Sequence, residues 1–235
     1  DSIACQDYPH WEHIIIDGAS LDGTIDIINN HRDQITFFES EPDNGIYEAL
    51  NKGINLSNND VIGFLHADDM YASPNTLSII AEEFKDPLVM AVYGDLIYVS
   101  KNDTTKIVRR WNSSKHSEKN IQNGWMPAHP TLYVRRQWYM KIGGFNTQYR
   151  ISADYLSILK LFSEPNFKTH YIPEILVKMR LGGASNKSIT AIINKSKEDW
   201  SALRSCNYST LAAIRALACK NLRKIPQFFP ISNKM

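Results

Sequence analysis

Cysteine is scarce: Cys5, Cys206 and Cys219 are the only three in 235 residues. They are odd in number and far apart, which excludes a disulfide framework and a cysteine zinc site and fits a reducing compartment. An excess of one charge is also lacking. Lys and Arg number 26 and Asp and Glu 25, a net +1, so no global field selects nucleic acid as a partner. No apolar run approaches the roughly 18 residues of a membrane span, and no signal peptide is visible. No GxGxxG follows a strand and there is no P-loop, which excludes two common nucleotide sites. Internal repeats are absent. An initiating Met is missing too: the chain opens DSIACQDYPHWEH, and residues 2–6 read as the tail of a helix. The expectation is a fragment without its first element.

What is present is ordinary for a globular chain, 43% hydrophobic and 22% charged, which excludes disorder of the whole. The length suits one large α/β domain, or a domain with a small appendage. Apolar runs at 11–16, 34–38, 60–65 and 89–93 read as strands of the buried, parallel type. Between them lie helical patterns. Residues 24–30 place Ile25, Ile27 and Ile28 inward, and Ile46, Leu50 and Ile54 recur every four residues. Ser73-Pro74 opens a helix with Leu77, Ile80, Ala81 and Phe84 on one stripe. This alternation predicts a mostly parallel sheet with crossover helices. Residues 101–124 read as a loop or hairpin, 127–134 as a strand, 135–142 as a helix closed by Gly143-Gly144, and 152–162 as a further helix. Residues 171–180 read as a last strand, and 189–222 as helical.

Acids stand where the strands stop. Asp17 follows the first, Asp68 and Asp69 the third, and Asp95 the fourth. Open α/β sheets bind ligands at the carboxyl ends of their strands. Two adjacent acids at the tip of FLHADD repel one another and are costly to bury unpaired. They read as a solvated turn, as an acid capping a helix N-terminus, or as a site for a hard cation such as magnesium or manganese.

At these residues the chain resembles the inverting family 2 glycosyltransferases. DGASLDGT is similar to their D-G-x-S-x-D-x-T stretch, and FLHADD to their strand ending in a DxD-type motif. SEPDNGIYEALNKGI resembles the segment just upstream, and ISADYLSILKLF their later acidic motif. The motifs occur in order across about residues 3–185. The resemblance implies the GT-A fold: an α/β nucleotide-binding sandwich with a mostly parallel central sheet, followed here by a helical C-terminal tail. It implies a nucleotide-binding part over about 1–98, an acceptor-side part over about 99–187, and a helical extension over 188–235.

Roles follow position by position. The resemblance implies Asp17 at the nucleotide base; an Asx-turn before Gly18 is the plainer reading. It implies Asp68 and Asp69 as holders of Mn2+ or Mg2+, with Asp68 also towards the sugar nucleotide. His66 departs from the family's acid at that position and is expected to meet the ribose or simply end the strand. Asp154 matches the catalytic base, which takes the proton of an attacking hydroxyl; a helix-capping acid is its alternative. The family's second acid two residues later is Leu156 here. Asn51 and Lys52 face either the donor or solvent, with Glu48 on the same polar side. Arg180, before Gly182-Gly183 and Ser185, suits a diphosphate or an ordinary surface. His129 in PAHPTL is read as structural or acceptor-side.

In residues 211–229, Leu211, Ile214, Leu217, Ala218 and Leu222 form an apolar stripe beside Arg215, Lys220, Arg223 and Lys224. This reads as a helix packed on the domain or one lying on an anionic membrane. The expected activity is sugar transfer from a nucleotide-diphosphate donor to a hydroxyl of a surface polysaccharide or lipid-linked glycan. The setting would be cytoplasmic, with peripheral contact at the inner face of the cell membrane. A nucleotidyltransferase and a non-catalytic sugar-nucleotide or glycan-binding protein are the rival classes.

Overall fold

The computed structural model describes residues 1–182, 189–224 and 227. Strand β1 (Ile14–Asp17) pairs in parallel with β2 (Phe37–Ser40), joined through α1 (Thr24–Asn30). Helix α2 (Ile46–Leu56) then leads to a short β3 (Val61–Ile62), and the chain turns back into β4 (Asp69–Tyr71). Helix α3 (Thr76–Glu83) precedes the long β5 (Ala91–Val99), which forms a hairpin with β6 (Ile107–Trp111). A short α4 (Glu118–Gln122) and a 3₁₀ turn (His129–Thr131) lead to β7 (Tyr133–Arg135) and α5 (Arg136–Ile142). Helix α6 (Ala153–Phe162), β8 (Thr169–Arg180), α7 (Ile189–Ser205) and α8 (Thr210–Leu222) complete the chain.

The larger sheet runs β3-β7-β5-β8-β4, with β6 on β5. Among the described residues only β5 with β8 is a parallel pair in it; β3–β7, β5–β7, β5–β6 and β4–β8 are antiparallel. The α/β class stands, but the sheet is mixed rather than mostly parallel. The apolar runs fit either direction, because both faces of this sheet are covered.

Three further expectations change. The third strand ends at Ile62, since Gly63 leaves room for the Tyr133 ring; a Cβ there would lie 2.1 Å from it. The fourth strand continues through Asp95 to Val99, with a break in register around Asp95. Asp95 is therefore no strand-end acid, and it accepts hydrogen bonds from Ser113 N at 2.7 Å and Tyr171 Oη at 2.9 Å. Ile27 and Ile46 point outward, and Tyr47 takes the inward place on α2.

One apolar cluster spans Tyr47, Phe64, Tyr93, Phe145, Tyr155, Leu203, Ala213 and Ala216. The C-terminal helices thus share the core of the preceding sheet and helices. Residues 210–222 pack through Ala213, Ala216 and Leu217, while Leu211, Ile214 and Leu222 face out. The apolar stripe expected from the sequence is thereby split between two faces.

The turn after α5 depends on Gly144 and Asn51. Gly144 has φ +66°, and a Cβ there would stand 2.4 Å from Asn51 Oδ1. Asn51 Nδ2 donates to Phe145 O and Phe145 N donates to Asn51 Oδ1, each at 2.8 Å. Gly144→Ala is expected to cost about 2–4 kcal/mol, from the left-handed backbone and the displaced amide. Gly143→Ala, also at positive φ but in open space, is expected to cost only about 1–2 kcal/mol. Urea unfolding of both variants checks this; equal midpoints would refute the clasp.

Candidate active site

A single turn carries the acid pair. Phe64 is buried, its ring stacked on His129 with centroids 5.6 Å apart. Asp69 N donates to His66 O at 2.9 Å, which reverses the chain into β4. Asp68 is left exposed, while Asp69 is 9% exposed with its Oδ2 lacking any hydrogen-bond partner. Burial, and then the neighbouring charge of Asp68, push the Asp69 carboxyl up to about 7. An unpartnered buried carboxyl oxygen beside a second acid is a place that a divalent cation fits. Among the described residues no group of three or more His, Cys, Asp or Glu side chains is arranged to hold an ion. These two acids would therefore supply part of a coordination shell, with ligand oxygens and water as the rest. Register pairs Asp69 with Met179, and the next residue, Arg180, is exposed at the same end of the sheet.

The same turn leads to Asp154. The half-buried His66 ring lies 6.1 Å from the His129 ring. Burial pushes the His66 pKa down, and the nearby charge of Asp154 opposes this. His129 is buried with Nε2 unpartnered; burial drives it down to about 4, Asp154 raising it and His66 lowering it. Asp154 is half-buried in the first turn of α6. Its Oδ1 accepts from Tyr155 N at 2.8 Å, and Tyr47 Oη, donating to Ile151 O at 2.7 Å, lies 3.3 Å from the same oxygen. His66, His129, Asp154 and Tyr47 thus converge from the turn before β4, a 3₁₀ turn and two helices.

The other expected residues lie elsewhere. Asp17 ends β1 and is buried, with Oδ2 accepting from Ser20 N at 2.9 Å and Ser40 Oγ at 2.6 Å, and Oδ1 from Ser20 Oγ at 2.5 Å. Desolvation raises its pKa, but these hydrogen bonds outweigh it and hold the group below the usual carboxylate range. Asn51 is committed to Phe145. Lys52 is ion-paired with Glu39 at 3.3 Å and with Glu41. Glu48 accepts from Asn44 N and Nδ2 at 2.8 Å. None of these is hydrogen-bonded or ion-paired to the Asp154 group. Gly183 and Ser185, expected in a loop after Arg180, lie outside the described residues. Tyr47 had a sequence signal, since it stands seven residues before Ile54 on the buried side of α2.

Comparison with known proteins gives the family of this α/β chain. Residues 1–148 match the family described as Glycosyl transferase family 2, and the chain belongs to it. It is 30% identical over 192 residues to the PGL/p-HBAD biosynthesis glycosyltransferase of Mycobacterium bovis, covering 79% of this chain and 72% of that one. It is 29% identical over 174 residues to the hyaluronan synthase of Pasteurella multocida, 72% of this chain but 17% of the synthase. Staphylococcus aureus TarS 1-349 in complex with UDP-GlcNAc superposes with a TM-score of 0.66 at 14% identity, covering 96% of this chain and 67% of TarS. The mannosyltransferase PcManGT of Pyrobaculum calidifontis, in complex with GDP-Man and Mn2+, gives a TM-score of 0.61 at 18% identity, covering 93% and 63%. These structural likenesses establish the GT-A fold.

The buried acid has a measurable consequence. Without metal, folded Asp69 keeps its proton up to about pH 7, whereas the unfolded chain releases it near pH 4. The folded state binds the extra proton in that window, so stability falls as pH rises through it. Chemical denaturation in chelator is expected to show wild type losing on the order of a few kcal/mol relative to Asp69→Asn between pH 4 and pH 8. Parallel pH profiles for the two proteins would rule this out.

Proposed function

We propose that this chain is an inverting glycosyltransferase that moves a sugar from a nucleotide-diphosphate donor to a hydroxyl of a surface polysaccharide or lipid-linked glycan. The observation that carries this reading is the turn His66–Asp69. One turn supplies two adjacent acids, with Asp69 Oδ2 buried and unpartnered, and, through the His66 ring, reaches the Asp154 group. Asp68 and Asp69 would hold Mn2+ or Mg2+, which when bound neutralises charge on the leaving diphosphate. Arg180, the residue after the Met179 that pairs with Asp69, orients phosphate oxygens. Asp154 accepts the proton of the acceptor hydroxyl as that oxygen attacks the anomeric carbon. His66 and His129 are both pushed towards the neutral form, so near pH 7 they shape the pocket without adding charge beside Asp154. Asp17 lines the base side of the donor through the β1 end. Donor binding falls to residues 1–98 and acceptor binding to 99–187, and helices α7 and α8 of the C-terminal extension brace them. Asn51 and Lys52 are given no donor contact, since their polar atoms already have partners.

Titration with UDP-GlcNAc and GDP-Man, with Mn2+ or chelator, tests this reading together with Asp154→Asn. Binding is expected only with the metal. The variant is expected to keep its donor dissociation constant and lose roughly 10²–10⁴-fold in turnover, the scale of general-base catalysis. Equal donor affinity in chelator, or full turnover in Asp154→Asn, would sink the reading.

The outward face of α8 suits an anionic membrane surface. Leu211, Ile214 and Leu222 are exposed on it, Arg215 and Arg223 stand beside them, and α8 contains no acid. No helix among the described residues is long and apolar enough to cross a membrane. Co-sedimentation with vesicles rich in anionic lipid is expected for wild type and reduced severalfold in Leu211→Ser/Ile214→Ser/Leu222→Ser at unchanged melting temperature. Wild type left in the supernatant would refute surface attachment. Deleting the helix is the wrong test, because Ala213 and Ala216 are core.

A further inference from the structure

The start of α6 lacks a side-chain cap of its own. Ser152 at the N-cap position makes no capping bond, and its Oγ is buried without a partner. The backbone there is held instead by α7. Glu198 Oε1 accepts from Arg150 N at 3.1 Å, and Oε2 accepts from Ile151 N and Ser152 N at 2.8 Å each. Three consecutive N–H groups on one carboxylate form a strong, directional anion site at a helix start. The next residue of α7 grips the other flank. Asp199 pairs with Lys220 of α8 at 2.8 Å, both side chains nearly inaccessible, and the Lys220 ammonium lies 3.3 Å from the centre of the Tyr155 ring. Asp154 sits between these two holds.

We propose that Glu198 is a positioning residue for Asp154. By fixing the backbone of residues 150–152 it sets the direction in which the Asp154 carboxyl meets an acceptor, with the Asp199–Lys220 pair steadying Tyr155 from behind. The C-terminal helices are on this view part of the catalytic apparatus. The inference rests on the reading of Asp154 as the base.

The test uses the full chain with Glu198→Ala and Glu198→Gln, each alone and combined with Asp154→Asn. Donor turnover is followed with UDP-GlcNAc and GDP-Man in Mn2+, and amide hydrogen exchange is followed over residues 150–155. In Glu198→Ala, exchange at Ile151 and Ser152 is expected to rise at least tenfold. Turnover is expected to fall about 10–100-fold with donor KM changed less than about twofold, the signature of a misdirected reacting group. In the Asp154→Asn background the same change is expected to cost less than about threefold, because the residue acts through Asp154. Glu198→Gln keeps one oxygen for Ile151 and Ser152 and is expected to recover most of the loss. If the Ala variant fails to fold, Glu198→Gln gives the same readouts at smaller size. Unchanged exchange overturns the inference whatever the kinetics, and so does a loss that simply adds to that of Asp154→Asn. If Asp154→Asn is itself fully active, the base reading falls and takes this inference with it. If Asp154→Asn is impaired while folded Glu198 variants are not, only the positioning role fails.

Discussion

The burial of α6 is the constraint on which the site depends. Of its ten residues only Asp154 and Lys160 are even half-exposed. A helix apolar on nearly every side must lie inside, between the sheet and the helices that follow it. Its N-terminus, however, carries backbone N–H groups that need partners, and an acid that needs water or a ligand. The chain resolves this by placing that end at an opening bordered by the 66–69 turn. The N–H groups just before it are given to Glu198. Removing α7 would both expose the apolar flank of α6 and leave those donors unsatisfied, so the C-terminal helices are bound to the sheet by polar as well as apolar need.

The acids that looked alike in the sequence have different fates, and hydrogen-bond supply separates them. Asp17 is buried but receives three hydrogen bonds from Ser20 and Ser40, so its charge is favoured. Asp95 is half-buried and receives two, yet desolvation still raises its pKa. Asp69 has an oxygen with no donor and a like charge next to it. A folded protein does not leave such a group uncompensated without cost. The first two are held by their own surroundings; the third is pushed towards its neutral form, and a cation at that oxygen is what the proposed reading adds.

Much of this was legible in the sequence. The bounds of α1 and α6 were legible nearly to the residue and those of β8 to within two, although the inward face of α1 was not, since Ile27 points outward. The DxD-type turn and Asp154 were singled out through the family resemblance, and the structure brings His66 of that turn near enough to feel the charge of Asp154. Strand direction was not legible. The run at residues 89–93 looks the same whether its neighbour is parallel β8 or antiparallel β7, and it has both. Nor were Asn51 and Lys52 separable from donor-facing residues. Their partners, Phe145 and Glu39 with Glu41, lie outside the helix and reach them only by the fold. Glu198 is 44 residues beyond Asp154 and carries no motif. Only the packing of α7 against α6 reveals what it holds.

On the proposed reading, the two histidines bear on why the proton acceptor would be a carboxyl. Imidazole is the usual general base near neutral pH, and His129 stands in the same pocket. Yet burial holds His129 down to about 4, and its free Nε2 has no solvent contact through which to shed a proton once taken. His66 is pushed the same way. A base must be reachable by the acceptor and able to hold the proton it receives while the sugar is transferred. Asp154, half-exposed at a helix start, is reachable, and a proton taken there can leave to water afterwards. On that reading the two rings, both pushed towards the neutral form, cover the inner side of Asp154 without competing for the proton it would take.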